Sequence, residues 1–147
     1  MSDAPKNPAA LATVQTAAVR RTGIAPFFVV SAAMEIGAGI ALLAAPDLAI
    51  RLIFGAPGTE AAVALGRVAG VALLSLGAAC WLARHDGISA ASGALVSGML
   101  TYNAAIVALV LAGALGPVGP LLSGVAVLHG AMALWCLLLL MTNVAVR

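Results

Sequence analysis

Polar and apolar positions along this 147-residue chain sort into a polar first segment, four long apolar runs and one short amphipathic stretch. The runs cover about 24–45, 61–83, 88–113 and 117–141 and consist mainly of Ala, Leu, Val, Ile and Gly. Each exceeds the ~20 residues that a helix needs to cross a hydrocarbon core of ~30 Å, with length to spare for tilt. The pattern predicts four membrane helices, I to IV. Pro26 falls near the first turn of helix I, where its missing N–H does no harm.

The connections sharpen this picture. Arg84-His85-Asp86-Gly87 reads as a tight polar turn between II and III, and Gly116-Pro117-Val118-Gly119-Pro120 breaks III from IV without a charge. Links this short predict antiparallel neighbours. Between I and II, Pro46-Asp47 is a helix start and Gly55 a stop. Asp47 and Arg51, four residues apart, form one polar ridge on an otherwise apolar turn. That segment is too short to cross a bilayer. The expected fold is therefore all-α: a four-helix transmembrane bundle with a short interfacial helix between helices I and II.

Residues 1–23 are the only extended polar segment. Ala9–Val19 is predicted to form a short helix on the membrane surface, ending before Arg20 and Arg21. The first apolar run is longer than the ~7–15-residue core of a signal peptide, so it reads as a retained membrane helix. The organisation expected is a cytoplasmic segment over 1–23 and a single membrane domain over 24–147.

Composition excludes a soluble domain. The chain is 63% hydrophobic and 8% charged, against about 25% charged residues in soluble proteins. A net charge of +2 with 4% aromatics offers neither the basic patch nor the stacking surface of a nucleic-acid binder, so the expected partner is the lipid bilayer. Orientation follows from Lys6, Arg20, Arg21, Arg84 and Arg147 on one side and Arg51 alone on the other. The positive-inside rule puts both termini in the cytoplasm of a multi-pass inner (plasma) membrane protein. Cys80 and Cys136 make no CxxC or zinc spacing and read as small packing residues near the cytoplasmic, reducing end of their helices.

Candidate chemistry lies in the polar residues inside the runs: Glu35, Arg67, Asn103 and His129, with Tyr102 beside Asn103. An ionisable group at a helix centre costs roughly 3 kcal/mol on insertion scales, so such residues face a bundle interior or a partner. By residue count Glu35 and His129 sit near mid-helix, whereas Arg67 and Asn103 fall in the half away from the termini. One column is expected, with His129 and Glu35 near the midplane and Arg67 above them beside Tyr102 or Asn103. A Glu35–Arg67 pair is attractive by charge, but side chains lean toward their own helix N-terminus, which carries these two apart. Arg67 snorkelling outward is the alternative. Gly66-x-x-x-Gly70, Gly77, Gly37, Gly39 and Gly93-x-x-x-Ser97 let helices approach closely, and suit a tight bundle, a homodimer or a larger membrane complex.

These residues support three readings. In the first, the polar network is structural and the protein is a scaffold or accessory subunit. In the second, a pocket around Arg67, Tyr102 and Asn103 binds or transports a small anionic or carbonyl-bearing molecule while Glu35 and His129 relay a proton. In the third, Glu35 and His129 do acid–base work on a lipid-soluble substrate. No nucleophile motif, haem pair or P-loop is present, which favours a non-enzymatic role with no cofactor. His129, Met132 and Cys136 share one helical face that Cu(I) would accept, but Met and Cys are also ordinary residues of a membrane helix, and no metal site is assigned.

The segments Arg67-Val-Ala-Gly-Val-Ala-Leu-Leu-Ser-Leu-Gly, Gly98-Met-Leu-Thr-Tyr-Asn-Ala and Val127-Leu-His-Gly together resemble a pattern in small four-helix bacterial inner-membrane proteins, themselves uncharacterised and similar to DoxX-like proteins. The resemblance covers most of residues 24–141. It implies a four-helix inner-membrane fold, draws attention to Arg67, Tyr102, Asn103 and His129, and brings no activity with it.

Overall fold

A computed structural model describes residues 7–116 and 119–144. Five helices follow in order: α1 (Pro8–Ala44), α2 (Pro46–Phe54), α3 (Glu60–Ala83), α4 (Ala90–Leu111) and α5 (Leu122–Val144). There is no strand among the described residues. Four stretches, Ile24–Ala44, Glu60–Ala83, Ala90–Leu111 and Leu122–Thr142, are long and apolar enough to span a membrane. The chain is a multi-pass membrane protein with the expected four-helix architecture.

Helix α1 departs from expectation at its start. Asn7 caps it by accepting from the Ala9 amide at 3.0 Å, Pro8 takes the first turn, and the helix then runs unbroken through Pro26 for 37 residues. There is no separate surface helix over Ala9–Val19. An Ala-rich stretch has high helix propensity, and nothing between Thr16 and Gly23 stops it. Pro26 lies inside the helix, where it removes one backbone donor, a loss that membrane helices tolerate.

The inward face of α1 follows from helical periodicity. Ile24, Phe27, Phe28, Ser31, Ala32, Glu35 and Gly39 are all buried, at spacings of three and four that place them on one stripe. The stripe packs first against α3, through glycines. A Cβ on Gly39 would come within 2.8 Å of the Gly70 carbonyl oxygen, and one on Gly77 within 3.0 Å of the Ile36 amide nitrogen. Two backbones this close exclude any side chain at the crossing. Helices α4 and α5 form the second close pair. Phe27 joins the pairs, its ring edge-on to Trp135 of α5 at 5.5 Å. Cys80, Val96, Met99, Met132 and Cys136 fill the space around it.

The polar turn between α3 and α4 does not make those helices close partners: each packs on a different neighbour, α3 on α1 and α4 on α5. The outward faces carry large apolar side chains, with Leu65, Leu82, Leu111 and Val127 exposed by 69–81%. Small and aromatic residues face in and Leu and Val face out, the arrangement suited to surrounding lipid. Trp81 is exposed and stacks under the Arg84 guanidinium at 3.9 Å, as an interfacial anchor does. Trp135 is a packing residue.

Helix α2 is held at both ends. Asp47 accepts from Arg51 Nε at 2.7 Å and from the Gly58 amide at 3.2 Å, tying its first turn to the loop before α3. At its other end Gly55 adopts φ 76°. The carbonyls of Ile53 and Leu52, left over at the helix end, accept from the amides of Gly119 and Leu121 at 2.9 and 3.1 Å. A Cβ at Gly119 would lie 2.5 Å from the Ile53 oxygen, so only glycine fits there. The link before α5 thus doubles as the clasp for α2.

The glycine crossing makes a direct prediction. Gly39→Ala forces the α1 and α3 backbones apart and should cost about 1–3 kcal/mol. Gly98→Ala, at a glycine with nothing within 4 Å, should be neutral or stabilise by up to ~1 kcal/mol. Thermal unfolding of both variants in one detergent checks this; equal shifts would refute the crossing.

A second prediction concerns Asp47. The hydrogen bond from Arg51, aided by the Gly58 amide and the guanidinium charge, outweighs burial and holds its carboxyl below the usual range. The clasp is therefore intact above the ordinary carboxylate pKa and is lost as pH falls through the depressed value. Hydrogen exchange should show Gly58 amide protection, relative to its intrinsic rate, falling in Asp47→Asn and in wild type at low pH. Unchanged protection in both would mean that Asp47 does not hold the loop.

Candidate functional site

The α1–α3 register decides which polar groups meet. Gly77 packs on Ala32 and Ile36, so Glu35 lies beside the Gly77–Cys80 turn of α3. Gly66 packs on Leu42 and Pro46, so Arg67 lies level with the end of α1 and the start of α2. Ten residues of α3 separate Arg67 from Gly77, roughly 15 Å at 1.5 Å per residue. Arg67 is exposed, and among the described residues it has no hydrogen-bond or ion-pair partner. The structure does not bring Arg67 to Glu35, Tyr102 or Asn103. At that level its long stem reaches the membrane interface, where a guanidinium is solvated.

The remaining candidates gather in one layer. Asn103, 1% exposed, donates from Nδ2 to the Met99 carbonyl at 2.7 Å and places Oδ1 2.7 Å from His129 Nδ1. Two acceptors cannot share a hydrogen bond, so Nδ1 carries the proton and donates to Asn103. In the neutral ring Nε2 is then a bare acceptor. Tyr102 meets the same ring edge-on, at 5.4 Å and 83°. Glu35 comes to the same level on the buried stripe of α1: it lies eight residues beyond Phe27, whose ring meets Trp135, and His129 lies six residues before Trp135 on α5. Sequence counting put His129 at mid-helix because helix IV was expected to begin at 117. The helix begins at Leu122, which moves His129 toward the outer end and level with Asn103.

What distinguishes the layer is how few of its polar atoms have partners. Glu35 is only 5% exposed and makes no hydrogen bond among the described residues. One turn before it, the Ser31 hydroxyl is fully buried and unpartnered. Among the described residues the Tyr102 hydroxyl and His129 Nε2 also lack hydrogen-bond partners. Ser31 is the residue that sequence reading missed. The available signal was its position four before Glu35, on the same helical face.

The tautomer assignment is testable. In ¹⁵N spectra of labelled protein His129 should show a protonated Nδ1 and a pyridine-like Nε2. Asn103→Leu should abolish that preference and, by stranding the ring donor, cost about 1–3 kcal/mol. An Nε2-protonated ring in wild type would overturn the assignment.

No family model, no curated protein and no solved structure matches this chain.

Proposed function

We propose that this membrane protein binds a small polar molecule inside its bundle, at the layer formed by Glu35, Tyr102, Asn103 and His129 with Ser31. The observation that carries this reading is Glu35: a carboxyl almost wholly buried among apolar helices, with no hydrogen-bond partner. A network kept only for stability would satisfy its members, because a buried unpartnered polar group costs about 1–3 kcal/mol, and more when charged. Such unmade bonds are a feature of sites completed by something else.

The scaffold reading draws on the Asn103–His129 bond, which joins α4 to α5. That bond uses neither Glu35 nor Ser31. The anion- or carbonyl-binding reading loses its cation, since Arg67 stands roughly 15 Å up α3 from this layer. We place the protein in a bacterial inner membrane with both termini cytoplasmic, on the five-to-one distribution of basic residues. The DoxX-like resemblance agrees with that placement and adds no chemistry.

The experiment is native mass spectrometry of protein extracted in lipid nanodiscs, combined with thermal unfolding. Wild type and Arg67→Leu should retain a bound small molecule and Glu35→Met should lose it. The ligand-free Glu35→Met protein should be more stable by about 1–3 kcal/mol, because an apolar side chain of similar volume replaces an unsatisfied one. A Glu35→Met protein that is less stable, with no molecule bound to wild type, would return the layer to a structural role.

A further inference from the structure

The unpartnered atoms of the layer share a chemical bias. His129 Nε2 is an acceptor, because Asn103 fixes the ring proton on Nδ1. Beside a cation the Glu35 carboxyl ionises and is acceptor-only. The hydroxyls of Ser31 and Tyr102 both accept and donate. Among the described residues no cationic side chain faces these atoms: Arg67 is ten residues up α3 from Gly77, and Arg84 is held over the Trp81 ring with a hydrogen bond to the Trp81 carbonyl. A site of acceptors without a counter-charge suits a ligand that brings both donors and positive charge.

We propose that the layer takes a small protonated amine, its N–H groups donating to Glu35 and His129 Nε2. This rests on the binding reading above and names its ligand class. The ammonium offers up to three donors in a compact head, enough for the carboxylate, the bare imidazole nitrogen and one hydroxyl. It also neutralises the carboxylate, which has no partner of its own in the apolar interior. The Tyr102 ring adds a π face that favours a cation over a neutral molecule of equal size. An anion finds only the Ser31 and Tyr102 hydroxyls as donors, while the Glu35 carboxylate and the bare His129 Nε2 oppose it.

The test uses four probes sharing a hexyl tail: hexylammonium, hexyltrimethylammonium, hexanol and hexanoate. Each is titrated into wild-type nanodiscs, with empty nanodiscs as the partitioning baseline. Hexylammonium should bind saturably and at least tenfold more tightly than the other three, and should lose at least tenfold in Glu35→Gln. Two further readouts, independent of how that variant folds, stand beside it. Arg67→Leu, outside the layer, should keep binding within a few-fold, and the ¹⁵N resonance of His129 Nε2 in wild type should move on adding hexylammonium and stay still with hexanoate. Saturable binding of hexanol or hexanoate at this layer, with the same Nε2 shift, would overturn the amine assignment and leave a binding site standing. Equal binding of hexyltrimethylammonium would overturn the role of the N–H donors. No saturable probe and no Nε2 shift would overturn the amine proposal, and the mass-spectrometry result then decides whether any ligand site exists.

Discussion

The close backbone approach of two membrane helices, α1 against α3 at Gly39, Gly70 and Gly77, is the constraint on which the rest depends. Membrane helices gain nothing from hiding apolar surface from lipid, so they associate through packing at short range, and glycine is what permits the shortest range. At this crossing the Gly39 and Gly70 backbones touch each other with no room for a methyl group. A helix pair locked by backbone contact cannot slide by a turn without driving Leu42, Leu43 or Leu74 into the other helix. Register follows, and register decides which polar residues meet.

From that register the layer follows. Glu35 is held beside Cys80, facing the second helix pair, while Arg67 is carried to the level of Pro46 and out of the interior. On the other side, Asn103 and His129 join α4 to α5 through a single hydrogen bond, whose direction is set by a second bond from Asn103 to Met99. The aromatic contact of Phe27 with Trp135 closes one pair on the other about two turns below Glu35. The result is a bundle whose apolar contacts are complete and whose polar contacts are half made.

Helix α2 plays a separate part. Its terminal carbonyls are satisfied by the link preceding α5, and Asp47 satisfies an amide of the loop preceding α3. It therefore ties the links before α3 and α5 together on the side away from the termini. Nothing in the amphipathic pattern of Pro46–Phe54 announced those partners, because backbone groups at a helix end carry no sequence label.

Sequence alone determined the quantities that depend on length and local chemistry. Four apolar runs of more than twenty residues admit one answer in a bilayer, where every backbone group needs an internal partner. Pro46, Asp47 and Gly55 marked α2 because capping and left-handed turns are local. The same reasoning picked out Glu35, Tyr102, Asn103 and His129, since buried polar groups are costly wherever they occur. It left Arg67 open between the polar column and the outer interface, passed over Ser31 and expected a separate surface helix before α1; the level of Arg67 escaped it for a physical reason. Counting along a helix measures depth from that helix's own end, and helix ends in this bundle are not level: α3 begins well beyond the end of α1. Only tertiary packing, with Gly66 against Pro46 and Gly77 against Ile36, converted position in the chain into position in the bundle. It thereby separated the arginine from the carboxylate.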